Sequence, residues 1–180
     1  MYVHLKKKTM KEVIPKASGE TSGQTEGIRW LHVFVIIGYS YRKVVQYTPT
    51  NQVRKMDEIT YTEVILPAIL EDMHTRGLTL WQDKDSAHCS KLVQQWCKHY
   101  YLPTITSPGN SPDLSIAKTM ANPIKRDFHK VRCTTEKAAI TRFNKLFNDY
   151  MDQEKIQHVY KGYTARLHGC LRREGQMTQF

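Results

Sequence analysis

Residues 78–88 read LTLWQDKDSAH, a short extended run that ends at an acid and turns toward a helix over residues 90–100. Its leading residues are apolar or β-branched, which is typical of a buried strand. In α/β sheets the chemistry lies beyond the carboxyl ends of the strands. Asp83 stands at that end and is the first candidate for a functional residue. Taken alone, it also fits an ordinary aspartate at a strand-to-helix turn.

Strand and helix patterns alternate on both sides of this stretch. Upstream, two β-branched and aromatic runs flank a Gly/Ser turn, which predicts a hairpin. Apolar residues then recur at helical spacing as far as Gly77, which predicts a helix. Downstream, one short strand precedes helical patterns only. The predicted strands are 30–37, 42–47, 78–81 and 104–106, and the predicted helices are 59–73, 90–100, 113–129, 136–150 and 153–173. This order predicts an α/β fold with a mixed sheet flanked by helices and a helical C-terminal part.

The first 27 residues are expected to form a basic, poorly structured segment. Lys6, Lys7 and Lys8 are followed by a stretch rich in Gly, Ser and Thr, which offers nothing apolar to bury. The predicted domain therefore spans residues 28–175, with a short tail at 176–180.

The charge balance favours a polyanionic partner. Among 180 residues, 27 Lys and Arg stand against 17 Asp and Glu, a formal net charge of +10. This excess favours nucleic acid, with a basic protein lacking such a partner as the alternative. No apolar run is long enough to span a membrane, no signal sequence is recognised, and the four cysteines form no Cys-x-x-Cys pair. These features predict an intracellular protein with free thiols that is neither secreted nor membrane-bound; they leave its oligomeric state open.

Two motifs carry a resemblance to a known family. The first is Gln82-Asp83 followed by His88, and the second is Ser-Pro-Asp-Leu at residues 111–114, with Met-Ala-Asn at 120–122. Over residues 30–172 the chain resembles the catalytic domain of mariner-like DDE transposases of the fungal type, within the RNase H-like and retroviral-integrase superfamily. The resemblance implies an RNase H-like sheet, DNA integration chemistry, a nuclear location, and Asp83 as the second of three catalytic acids.

Three acids are required because this chemistry uses two divalent cations, Mg²⁺ or Mn²⁺, which carboxylate oxygens hold a few Å apart. The chain departs from that pattern twice. Thirty-four residues separate Asp83 from the position of the third acid, which is the family's spacing, but that position holds Lys118. The first acid lies on the opening strand in the family and is expected here to precede Met1, so the sheet is expected to lack its first strand and the chain to be a truncated fragment.

Other acids near these positions are poor substitutes. Asp85 lies two residues beyond Asp83, Asp113 is expected to cap the helix that carries Lys118, and Asp127 is expected to face solvent. His88 fits a residue beside the site as well as it fits a helix cap or a surface side chain. Asp83 is therefore interpreted as a vestigial metal ligand, and no metal is expected to bind productively.

The segment after Lys118 is strongly basic and includes Lys125, Arg126, Lys130 and Arg132. The resemblance implies that this helix lies beside the active site. These side chains are therefore predicted to contact DNA phosphates without sequence preference, in a salt-dependent way. A merely solvated helix remains the alternative interpretation.

Three functional hypotheses follow. The first is a degenerate transposase fragment, a pseudoenzyme that binds DNA but neither cuts nor joins it. The second is an active divalent-metal-dependent DNA strand transferase or endonuclease with a non-standard third acid. The third is a basic nucleic-acid or protein interaction module on the same fold.

Overall fold

The structure is a computed structural model that describes residues 2–11, 30–49, 51, 55–108 and 114–176. Five strands form one mixed sheet in the order β3-β2-β1-β4-β5. The strands are β1 (Tyr2–Lys11), β2 (Trp30–Gly38), β3 (Tyr41–Gln46), β4 (Thr79–Gln82) and β5 (Thr104–Thr106). β1, β2 and β3 pair antiparallel, whereas β1, β4 and β5 pair parallel. The predicted mixed α/β sheet is confirmed.

β1 occupies the centre of this sheet. It pairs with β2 over nine positions and with β4 on its other side. The prediction that the N-terminal segment is poorly structured is therefore wrong for residues 2–11, and so is the prediction that the sheet lacks its first strand. The lysine run suggested a solvated segment, but backbone pairing on both sides determines a central strand. Residues 12–29, which complete that predicted segment, lie outside the described residues.

The predicted hairpin is confirmed as β2 and β3, and β2 is buried on both faces. Phe34 and Ile36 point into one apolar cluster, while Val33, Val35 and Ile37 point into a second cluster on the opposite face. Successive side chains of a strand alternate between faces, so a continuous apolar run requires a cover on each side. The sheet is therefore the middle layer between two layers of helices.

Helices supply both covers. One cover consists of α1 (Glu58–Thr60), a π-helical turn (Tyr61–Ile65), α2 (Leu66–Thr75), α3 (Ser86–Cys89) and α4 (Lys91–His99). The other consists of α5 (Ile116–Phe128), α6 (Glu136–Tyr150) and α7 (Gln153–Lys161), followed by α8 (Tyr163–Arg172). Within the described residues, no helix is long and apolar enough to cross a membrane.

Two helix boundaries differ from the predicted ones. The helix predicted over residues 153–173 is divided into α7 and α8 at Gly162, whose backbone angles are close to helical. The N-cap of α5 is Ser115, whose hydroxyl accepts a hydrogen bond from the amide of Lys118. Asp113, predicted to cap this helix, lies outside the described residues.

Two glycines allow a matched test of this backbone. Gly77 has φ +58°, a left-handed conformation that ends α2, whereas Gly162 has φ −80° and an added Cβ would make only an ordinary contact of 3.6 Å with a carbonyl oxygen. We expect Gly77→Ala to destabilise the protein by about 1–2 kcal/mol. We expect Gly162→Ala to stabilise it by about 0.4–1 kcal/mol, because the unfolded chain loses conformational freedom.

Urea denaturation of both variants measures these changes in the free energy of unfolding. Equal effects of the two substitutions would contradict the assigned backbone conformations.

Candidate active site

The site begins where β4 ends. Gln82, the last residue of β4, is buried; its side chain accepts a hydrogen bond from the Tyr61 hydroxyl (2.9 Å) and donates one to the His88 carbonyl (3.1 Å). These two bonds connect the end of the strand to the π-helical turn and to α3. The turn that carries Asp83 is therefore held at both ends by a buried polar group whose partners are satisfied.

His88 packs directly against Asp83. Its Nδ1 lies 2.8 Å from Oδ1 of Asp83, its side chain is fully buried, and its ring lies 4.5 Å from the ring of Tyr61 and 6.1 Å from that of Phe34. The interpretation of His88 as a surface side chain is thus wrong. Because an ionised carboxylate only accepts hydrogen bonds, Nδ1 carries the proton in this contact. Nε2 has no hydrogen-bond partner among the described residues.

Two positively charged or proton-donating neighbours, His88 and Lys118, lower the pKa of Asp83. Burial raises the pKa of the Asp83 carboxyl, but the hydrogen bond and charge of His88 and the positive charge of Lys118 outweigh it, so that the pKa falls below its ordinary value of 3.8. Lys118 is half-buried in the first turn of α5. The structure therefore brings Asp83 and His88 into contact, and the charge of Lys118 acts on the same carboxyl.

The register of the sheet adds another position. Tyr2, Val3 and His4 of β1 pair with Thr79, Leu80 and Trp81 of β4. The last recorded pair is His4 with Trp81, and β4 ends one residue later, at Gln82, just before Asp83.

β1, the opening strand, contains no Asp or Glu. The expectation that the position of the first acid precedes Met1 is therefore wrong. The strand expected to carry that acid is present in the chain, and it pairs in parallel with β4, the strand that precedes Asp83.

The donor set at this end of the sheet does not fit a pair of divalent cations. Asp85 uses its carboxylate to cap α3, accepting a hydrogen bond from the amide of Ala87 (3.0 Å). Asp113 lies outside the described residues. Among the residues that the structure describes, no group of three His, Cys, Asp or Glu side chains is placed to hold a metal ion. One carboxylate remains, already bonded to His88 and close to an ammonium group, and ammonium groups cannot coordinate metals.

The four basic side chains proposed for DNA contact are all exposed, on or just beyond the last turns of α5. They form two classes. Arg126 and Lys130 make ion pairs with Asp127, at 3.2 and 2.8 Å. Lys125 and Arg132 make no ion pair with any described residue.

Asp127 does not face solvent as predicted. Its side chain is only 17% exposed and accepts a hydrogen bond from the Tyr150 hydroxyl, and the ammonium of Lys130 and that hydroxyl hold the pKa of its carboxyl well below its usual range. Arg142 donates to the backbone carbonyls of Asp127 and Phe128. This cluster ties α6 to the end of α5. Arg142 and Tyr150 of α6 lie 14 to 23 residues from their partners at the end of α5, a separation that no sequence pattern marks.

Comparison with known proteins identifies the fold. No protein-family model matches the chain, and no curated protein matches its sequence. The catalytic domain of Mos1 mariner transposase superposes with a TM-score of 0.76 at 13% identity, covering 99% of this chain and 84% of that one. The Mos1 catalytic domain with raltegravir and Mn superposes with a TM-score of 0.75 at 12% identity, covering 99% and 84%.

A Mos1 paired-end complex with the left transposon end also superposes, with a TM-score of 0.75 at 12% identity. It covers 98% of this chain, which spans 56% of that transposase chain. The chain therefore has the fold of a mariner transposase catalytic domain, which confirms the predicted RNase H-like architecture.

The environment of Asp83 makes the free energy of unfolding depend on pH. A carboxyl whose pKa is lowered by folding contributes stability above its unfolded pKa, near 3.8, and loses it as the pH falls through the folded pKa. We expect Asp83→Asn to remove this contribution while still accepting the bond from His88. The difference in the free energy of unfolding between the parent and the variant should become smaller as the pH is lowered from about 6 to about 3. Because the carboxylate is 40% exposed, the change should not exceed about 1 kcal/mol.

Urea denaturation across this pH range measures the difference. Asp149→Asn is the matched control, because Asp149 is exposed and forms no ion pair within the described part of the chain. A parent-to-variant difference that stays constant for Asp83→Asn would contradict the assigned ion pair.

Proposed function

We propose that this chain, which has the fold of a mariner transposase catalytic domain, is a degenerate member of the mariner-like DDE transposases that binds DNA through its phosphate backbone but neither cuts nor joins it. The observation that carries the proposal is the position of Lys118. Its ammonium lies close enough to Asp83 to lower the pKa of that carboxyl, at the position where the resemblance implies the third acid. Asp83 is then a vestigial ligand.

Electrostatics support the loss of cleavage. Two divalent cations beside Asp83 would also meet the positive charge of Lys118, which acts on that carboxyl. Like unit charges about 4 Å apart repel by about 4 kcal/mol at an effective dielectric constant of 20, and a dication doubles that cost. A single carboxylate cannot offset such repulsion. We therefore propose that Mg²⁺ or Mn²⁺, which Mos1 structures contain, does not bind productively in this chain.

The basic surface at the end of α5 supports the retention of DNA binding. Lys125 and Arg132 are exposed and unpaired within the described residues, so their charges are available for phosphates. Mos1 has been solved with a transposon end and as a strand transfer complex, so this fold accommodates DNA. Contacts of this kind are electrostatic and independent of sequence. Under this proposal the protein acts in the nucleus, where its partner lies.

A nicking and strand-transfer assay with Mn²⁺ tests the proposal, together with DNA binding measured by fluorescence anisotropy. We expect no metal-dependent product, and binding that weakens steeply as salt rises. Any metal-dependent nick would favour an active strand transferase. No binding even at low salt would favour a protein interaction module.

The two classes of basic residue provide matched variants for the binding assay. Lys125→Gln and Arg132→Gln are expected to weaken binding more than Arg126→Gln and Lys130→Gln, because Asp127 already engages the latter pair. Each lost phosphate contact should reduce the slope of log affinity against log salt by about 0.9 for duplex DNA. Equal losses in both classes would mean that long-range charge, rather than local contact, determines binding.

The register of β1 and β4 predicts how a metal site could be rebuilt. Lys118→Glu alone is expected not to restore cleavage, because β1 still contributes no acid. Adding Lys6→Asp should create a three-carboxylate site, and Mn²⁺ binding measured by titration calorimetry should then appear. The charge-matched control is Lys91→Asp with Lys98→Glu, on exposed positions of α4. Cleavage restored by Lys118→Glu alone, or Mn²⁺ binding by the control, would contradict the assigned register.

A further inference from the structure

The outer face of the first half of α6 forms a basic groove that is open to solvent. Its volume is about 500 Å³, and it is lined by Thr135, Lys137, Ala138, Thr141, Arg142 and Lys145. These residues belong to α6 or to its N-cap, and many of them lie three or four positions apart, a spacing that places side chains on one face of a helix. The apolar residues of α6, such as Phe143, lie in the cluster that the helix shares with β2. The groove therefore faces away from the core.

The α6 groove carries positive charge without an opposing acid. Lys137 and Lys145 are exposed, and neither makes an ion pair with any residue that the structure describes. The acids of α6, Glu136 and Asp149, do not line the groove. The N-terminus of α6 adds the partial positive charge of the helix dipole at the same end. The groove is therefore complementary to an anion.

Arg142 connects the groove to the basic surface at the end of α5. Its Nε donates to the carbonyl of Phe128 at 3.3 Å, and its Nη2 donates to the carbonyl of Asp127. A guanidinium group has five N–H donors, so donors remain for a ligand after these two bonds. The two carbonyls belong to the last turn of α5, the helix that carries Lys125 near its end. The α6 groove and that basic surface are therefore neighbours.

The spacing of the two lysines fits a nucleic-acid strand. Lys137 and Lys145 lie eight positions apart on α6, which corresponds to about 12 Å along the helix axis. Successive nucleotides of one DNA strand rise by about 3.4 Å, so this distance spans three to four of them. The two ammonium groups can thus contact different phosphates of the same strand.

We infer that the α6 groove binds the phosphate backbone of one DNA strand, as a continuation of the basic surface at the end of α5. The inference rests on the proposed DNA binding and extends its contact surface to a second helix. Lys137 and Lys145 would form charge-assisted hydrogen bonds with phosphate oxygens, and the exposed hydroxyl of Thr141 adds a neutral donor between them.

One position tests the inference without weakening the helix. Ala138 is exposed, and its amide donates to the hydroxyl of the N-cap Thr135 at 3.2 Å. A Glu or a Gln at this position completes a capping box, so both Ala138→Glu and Ala138→Gln should unfold at the parent's temperature or above it. The two variants have nearly the same shape and differ by one negative charge. In fluorescence anisotropy with a DNA duplex at low salt, Ala138→Glu should bind about fivefold more weakly than Ala138→Gln.

A pair of lysine variants tests the phosphate contacts themselves. The double variant Lys137→Gln with Lys145→Gln should reduce the slope of log affinity against log salt by about 1.8, because two phosphate contacts are lost. The charge-matched control is Lys91→Gln with Lys98→Gln, on exposed positions of α4 in the helix layer across the sheet. This control should change the slope by less than about 0.5. Arg142 is left intact, because its loss would also separate α6 from α5.

The outcomes separate this inference from the proposed function. If the parent chain binds DNA but Ala138→Glu binds as tightly as Ala138→Gln, or the two lysine pairs have equal effects, the α6 groove is not a contact surface and only this inference is overturned. If the parent chain binds no DNA even at low salt, the proposed DNA binding and this inference both fail.

Discussion

Pairing of β1 with a neighbour on each side holds this molecule together. The strand joins the antiparallel hairpin of β2 and β3 to the parallel pair β4 and β5. Without it, the sheet would separate into two-stranded pieces, which are marginal in water. The same pairing sets the functional geometry, because the register of β1 against β4 determines which residue lies beside Asp83. Fold and site therefore depend on one set of backbone hydrogen bonds.

The fold does not require the acids of an active site. Stability comes from two apolar clusters on opposite faces of β2, which are formed by aliphatic and aromatic side chains. The turn that carries Asp83 is held by Gln82, Tyr61 and His88 through hydrogen bonds that involve no metal. Three neighbouring carboxylates would repel one another in the absence of metal, whereas Lys118 attracts Asp83. A lysine at this position therefore carries no electrostatic cost to the scaffold.

Periodicity predicted most of the architecture and part of the site. The hairpin, β4 with Asp83 beyond its end, and the helices that carry Lys118 and the basic cluster were all recognisable, because amphipathic spacing and turn residues are local signals. β1 was not recognised, because its run of lysines is typical of a solvated segment. Its stability comes from pairing with β2 and β4, which are distant in the sequence. The division of the last helix at Gly162 and the burial of Asp127 beside Tyr150 also depend on packing between separate elements.

By itself, the sequence determined the alternation of strands and helices, the excess of positive charge, and the presence of a lysine separated from Asp83 by thirty-four residues. These are properties of local spacing and composition. Only the tertiary structure decided that β1 is the central strand, that it pairs in parallel with β4, and that His88 is buried against the Asp83 carboxylate. Strand register and burial arise from contacts between segments far apart in the chain, which no local pattern encodes.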